Sequence, residues 1–204
     1  MAISKAALTL AVGLCASACG GSGSSPTAPD VAYSGVEVRL NPAVMPPGET
    51  SLASVWAWSK GVWGPIPVSG WTSSNRAVAT ISATGVITAI APGTTLITGA
   101  FDGGSHAAPL GVFGERDLEG LNVSCGSMPA GIQFTICNVT ARTRVGEGPV
   151  KATWTSSNPE VAPLAPDGSA PSASVLALRK GSGLTVITAT YGAFTGNATV
   201  EVRD

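Results

Sequence analysis

The sequence predicts an all-β protein: two tandem β-sandwich domains behind an export signal and a flexible tether. Three observations carry that expectation. The run Trp-Thr-Ser-Ser-Asn occurs twice, opening at Trp71 and again at Trp154. Glycine (26 residues) and proline (15 residues) punctuate short runs of Val, Ile and Thr, the pattern of short strands joined by tight turns. Beyond the N-terminus, no long segment shows the spacing of an amphipathic helix.

Composition narrows the functional classes. Only 11% of residues are charged against 44% hydrophobic, which favours packed cores over disorder. The net charge is −1, from 11 basic and 12 acidic side chains, with no basic cluster to neutralise phosphates. A nucleic-acid binder is therefore not expected.

Residues 1–18 read as a signal peptide. Lys5 gives a positive start, and Ala6 to Leu14 form an apolar stretch too short to cross a bilayer. The following Ala16-Ser-Ala-Cys19 resembles a lipobox, with Ala16 where that family prefers Leu. The resemblance implies cleavage before Cys19 and lipidation of its sulfur, so that the partner at this end is a lipid bilayer. Ordinary signal peptidase could cut the same bond and leave Cys19 unmodified. Residues 19–32, rich in Gly, Ser and Pro, suit a tether between a lipid and a folded domain. Gly20 after the cysteine, in place of aspartate, resembles the pattern that sends lipoproteins to an outer membrane. The expected location is exported and lipid-anchored, with the domains periplasmic or extracellular.

The internal repeat sets the domains at 33–114 and 118–204. Gly70 to Ala79 returns as Thr153 to Ala162, and Gly93 to Phe101 returns as Gly183 to Tyr191. Between the blocks, the second copy is longer and is expected to form a wider loop around Pro166 to Pro171. The repeated pattern is Trp-Thr-Ser-Ser-Asn, a following Val-Ala, then Ser82 to Gly93 and a final apolar strand. It resembles the group 2 bacterial immunoglobulin-like domain of invasin- and intimin-type surface proteins. The resemblance implies an immunoglobulin-like sandwich, a surface setting and no catalysis, with adhesion, envelope structure or protein docking as its uses.

Individual residues support the same architecture. Trp71 and Trp154 end strands and are expected to anchor the cores. Ser-Ser-Asn offers side chains that bond nearby backbone and favour a turn. Ala83-Thr-Gly85 is expected to turn a hairpin, and Gly93 to hold a backbone conformation that a side chain would hinder. Ile97, Gly99 and Phe101 alternate, as do Ile187, Ala189 and Tyr191, giving each copy a core-facing edge.

Cys125 and Cys137 flank the turn Ser127 to Gly131 symmetrically about Gly131. If 121–125 and 133–141 pair as antiparallel strands, the two cysteines face each other and can form a disulfide. A zinc pair would need two further ligands that the chain does not provide. The first copy aligns Pro42 and Ser54 with these positions, so no bridge is expected there. Cys15 leaves with the signal peptide.

No catalytic constellation and no resident cofactor are expected. The single histidine, His106, sits in a glycine-rich loop beside Ser105, without a nucleophile elbow. Glu115, Asp117 and Glu119 alternate near the domain junction. With Arg116 between them and no Asp-x-Asp-x-Asp run, they read as a solvated linker rather than a calcium site.

Trp56, Trp58 and Trp63 form the candidate ligand face. Trp56 and Trp58 share one face of a strand, and Trp63 follows the next turn. Counting from Gly48 aligns Trp56 and Trp58 with Val139 and Ala141, which look like core positions. They are thus expected to fill the first core, leaving Trp63 exposed. The alternative is a carbohydrate-binding module: if all three reach solvent, they offer a face for stacking sugar rings of an envelope polysaccharide.

Overall fold

The structure, a computed structural model, describes residues 33–165 and 174–203. The signal peptide, Cys19, the tether and the loop at 166–171 lie outside the described residues.

In chain order the first strands are β1 (Gly35–Asn41), β2 (Val44–Met45), β3 (Thr50–Ser59), β4 (Val62–Pro65) and β5 (Gly70–Ser73). They are followed by β6 (Ala79–Ile81), β7 (Val86–Ala89), β8 (Gly93–Phe101) and β9 (Gly104–Val112). A short 3-10 turn at Glu115–Asp117 leads to β10 (Leu118–Cys125), β11 (Phe134–Thr143), β12 (Gly146–Pro149) and β13 (Thr153–Ser156). The last strands are β14 (Ser174–Leu178), β15 (Gly183–Tyr191) and β16 (Phe194–Val202).

They form four sheets. One runs β1-β3-β7-β6 with β4 also on β3, and it faces a second that runs β2-β9-β8-β5. A third runs β10-β11-β12 with β14 on β11, and a fourth runs β13-β15-β16. All pairings between these strands are antiparallel except β2 with β9. The inner faces supply the cores. Ala53, Ile87 and Ala89 of one sheet meet Met45, Ile97, Leu110 and Val112 of the other. In the second half Cys137 and Ala177 meet Ile187, Val200 and Val202. Trp71 and Trp154 are half-buried and pack against these clusters, as the sequence predicts.

The repeated Ser-Ser-Asn does more than turn the chain. In the first copy Thr95 Oγ1, on β8, accepts from the Asn75 N–H at 2.9 Å. The same oxygen lies 3.0 Å from Ser73 Oγ and 3.1 Å from Ser74 Oγ. In the second copy Thr185 Oγ1, on β15, accepts from the Asn158 N–H at 3.1 Å and lies 3.0 Å from Ser156 Oγ. Asn75 and Asn158 use their own side-chain oxygens locally, accepting from the N–H groups of Ala77 and Glu160. The sequence reading placed only this local part. The long-range part ties the turn after β5 or β13 to the buried threonine of the neighbouring strand.

Two glycines carry close constraints. Gly93 has φ +147°, and a Cβ there would come within 2.9 Å of Val78 Cγ2, in line with its expected role. Gly99 faces the core opposite Trp71. A Cβ on Gly99 would lie 2.6 Å from Val55 Cγ2 and 2.8 Å from Trp71 Cζ3. The second copy has Ala189 at this ladder position, opposite Trp154; in the first copy the indole takes the methyl's place. Gly99→Ala is therefore expected to lower stability by about 1–3 kcal/mol through overpacking. Thermal or urea unfolding of the full chain checks it, and an unchanged midpoint would mean that Trp71 shifts freely.

Cys125 and Cys137 are joined by a disulfide across β10 and β11, where they are direct partners. Its counterpart in the first copy differs from the sequence alignment. The buried positions of β3 are Ser51, Ala53, Val55 and Ala57, and those of β11 are Thr135, Cys137, Val139, Ala141 and Thr143. Ala53 thus corresponds to Cys137, and its partner Leu40 to Cys125. Pro42 and Ser54 are not the equivalents.

The first half meets the second through apolar packing. Val44 of β2 and Val145 pack on a cluster that contains Phe113, Leu118, Val139 and Val150. Lys151 Nζ lies 2.7 Å from Glu49 Oε1, an exposed pair that adds little. Tyr191 packs on the same cluster. Burial raises its phenol pKa first, and the negative charges of Glu115 and Glu49 add to the rise.

Candidate ligand-binding face

The candidate face lies on the outer side of the first sheet, built by β1, β3 and β4. Ser59 and Val62 close a tight hairpin through Lys60 (φ 52°) and Gly61 (φ 82°). Two central residues with positive φ match the twist of the flanking strands. The hairpin sets Trp58 directly opposite Trp63 and Trp56 opposite Pro65. On the other side of β3, Gly35 stands opposite Trp58, Glu37 opposite Trp56 and Arg39 opposite Ser54.

The expectation that Trp56 and Trp58 fill the core is overturned. Ala53, Val55 and Ala57 point inward; Trp56 is half-buried on the outer side, and Trp58 is 38% exposed. The cause is a one-residue slip. Ala53 lies five positions after Gly48, whereas its equivalent Cys137 lies six after Gly131. A strand alternates with period two, so counting from the glycines moved the tryptophans to the wrong face. Trp63 is 40% exposed, as expected.

The three indoles form one cluster with two charged side chains. The Trp58 and Trp63 rings are 6.1 Å apart at 63°, an edge-to-face pair. Arg39 places its guanidinium 4.4 Å from the Trp56 ring centroid and 5.9 Å from that of Trp63. Arg39 Nε donates to Glu37 Oε1, and Trp56 Nε1 donates to Ser54 Oγ at 3.1 Å. Gly35 leaves room beside them: a Cβ there would sit 3.7 Å from the Trp63 ring. The sequence reading missed Glu37 and Arg39, although the alternation Val36-Glu-Val-Arg39 puts both on one strand face.

The other candidates lie apart from this face. His106 lies on β9 rather than in the loop, opposite Gly99, and is exposed. Asp117 Oδ2 accepts from the Gly114 N–H at 2.9 Å and caps the 3-10 turn. Among the described residues no three His, Cys, Asp or Glu side chains are placed to hold a metal ion.

Comparison with known proteins bears on the family. Residues 69–112, from the start of β5 to the end of β9, match the family model of the bacterial Ig-like domain (group 2). No curated protein matches. Among solved structures, S-layer protein SbsC domains 5-6 is 16% identical at a TM-score of 0.40, covering 85% of this chain and 98% of that one. The adhesin InvE of Yersinia pseudotuberculosis is 18% identical at a TM-score of 0.31, covering 83% of this chain and 59% of that one. The D00-D0 domain of intimin is 13% identical at a TM-score of 0.34, covering 83% of this chain and all of that one. The matched residues supply β5, β8 and β9 of one sheet and β6 and β7 of the sheet that faces it, so the likeness to the bacterial Ig-like domain (group 2) lies in the first sandwich.

Proposed function

We propose that the chain is a non-catalytic surface lipoprotein, held to a bilayer by lipid on Cys19, that presents Ig-like modules at 33–114 and 118–204. Its use is adhesion, envelope structure or protein docking. The observation that carries this reading is the group 2 Ig-like match on residues 69–112. The lipobox-like Ala16-Ser-Ala-Cys19 supports the anchor. Phe134 and Ile136, exposed on one side of β11, offer apolar surface for a protein partner.

Export and anchoring are tested together. Labelled palmitate is expected to enter the full chain and to be lost in Cys19→Ser, which should move from the membrane to the soluble fraction. Unlabelled wild-type protein, or a Cys19→Ser chain that stays on the membrane, would remove the anchor.

A second reading, recognition of envelope polysaccharide by the first module, is favoured by the exposure of Trp58 and Trp63 on one sheet face. Two indoles exposed side by side make a contiguous aromatic patch of the kind that marks an interaction site.

A further inference from the structure

We propose that the Trp58–Trp63 step binds single, uncharged β-1,4-linked pyranose chains of glucose or N-acetylglucosamine configuration, and not their crystalline surfaces. The proposal rests on the polysaccharide reading above and assigns its ligand.

The aromatic residues set the sugar class. Pyranoses whose substituents are equatorial present a flat face of axial C–H groups, and such a face stacks on an indole. Trp58 and Trp63 both reach solvent beside each other on the outer side of β3 and β4. Their positions are fixed before any ligand arrives. The tight turn locks the hairpin, the edge-to-face contact holds the ring pair, and the Arg39 guanidinium stacks on Trp56 and reaches toward Trp63. A prearranged aromatic site loses little side-chain entropy on binding.

Charge sets the second restriction. Arg39 is paired with Glu37, so the cation held against the indoles is neutralised. An acidic polymer would have to compete with Glu37 for Arg39, whereas sugar hydroxyls can bond to both groups without breaking the pair. A neutral glycan is the better fit.

The ring angle sets the third. At 63° the two indoles cannot lie flat against one plane. Two ring planes at that angle form a step, which suits a single chain that bends from one indole to the other. A crystalline glycan surface is planar and would meet only one ring.

The test is tryptophan fluorescence titration of the full chain in detergent with cellohexaose and chitohexaose, beside adsorption to crystalline cellulose and chitin. Wild-type protein should bind at least one soluble hexaose and leave the crystalline polymers. Trp58→Ala and Trp63→Ala should each weaken binding about tenfold or more, by loss of ring stacking. Leu52→Ala, on the same outer side of β3, should not change it. Trp63→Phe keeps a ring pair and guards against an unfolded hairpin; it should bind more tightly than Trp63→Ala. Binding that ignores both tryptophans would overturn the site while leaving the polysaccharide reading. Binding only to an acidic polymer, or to crystalline surfaces, would overturn the ligand class. Failure to bind any polysaccharide, with a protein partner retained on the same face, would overturn both.

Discussion

Thr185→Val is expected to lower the stability of the second sandwich by about 2–3 kcal/mol, although it removes no carbon volume. Thr185 is 1% exposed, and its hydroxyl sits at the centre of a network whose proton directions follow from the partners. Ser156 donates its single proton to the Ala162 carbonyl at 2.8 Å, so it accepts from Thr185. Thr185 in turn accepts from the Asn158 N–H. Ser157 accepts from the Val186 N–H at 2.8 Å, leaving its own proton for Thr185. Valine fills the same space but takes away the acceptor of the Asn158 N–H, in a network centred on a residue at 1% exposure. A donor left unsatisfied costs about 1–3 kcal/mol, and Ser156 and Ser157 each lose their bond to Thr185 while keeping those to Ala162 and Val186. Thr185→Ser restores the hydroxyl and should cost only the methyl, about 1 kcal/mol. Urea unfolding of the three proteins gives the comparison. If valine and serine cost the same, the methyl matters and the network does not.

The same logic explains what the sequence did and did not reveal. The repeat was legible because Trp-Thr-Ser-Ser-Asn packs identical chemistry into five consecutive residues, and local turn preference follows from Ser and Asn alone. Thr95 and Thr185 were not legible as partners: they lie twenty or more residues downstream, among many other threonines. The all-β class followed from composition and turns, and the Cys125–Cys137 bridge from its symmetry about Gly131. The candidate face failed first at the register of β3. A difference of one residue between the hairpins that lead into β3 and β11 is invisible to counting from a glycine, yet it exchanges the two sides of a strand. The inward set Ser51, Ala53, Val55 and Ala57 was in plain view as small or apolar residues. Counting from Gly48, which matched Trp56 and Trp58 to Val139 and Ala141, outweighed that alternation. Glu37 and Arg39 could be placed on one strand face, but only the pairing of β1 with β3 puts them beside Trp56.

Removing the disulfide, and rebuilding it in the first sandwich, tests that register. Cys125→Ala with Cys137→Ala is expected to cost about 3 kcal/mol, the loop-closure value for a separation of 12 residues. Dithiothreitol should lower the wild-type stability by a similar amount and leave the double variant unchanged. The bridge ties β10 to β11 at the end of their ladder, where Cys137 is fully buried against Met128 and Ala177. Leu40 and Ala53 occupy the corresponding rungs of β1 and β3 and are direct partners. Leu40→Cys with Ala53→Cys should therefore form a second bridge under oxidising conditions. Its gain will fall short of the loop-closure value by the cost of the lost leucine packing, since Leu40 rests on the first core. Pro42→Cys with Ser54→Cys, the pair chosen by counting from Gly48, should remain reduced. Arg39 is the residue opposite Ser54, and Pro42 lies beyond the last paired rung. Mass spectrometry after thiol labelling separates the outcomes: a bridge in the Pro42–Ser54 variant and none in the Leu40–Ala53 variant would return Trp56 and Trp58 to the core side and remove the exposed face on which the glycan site depends.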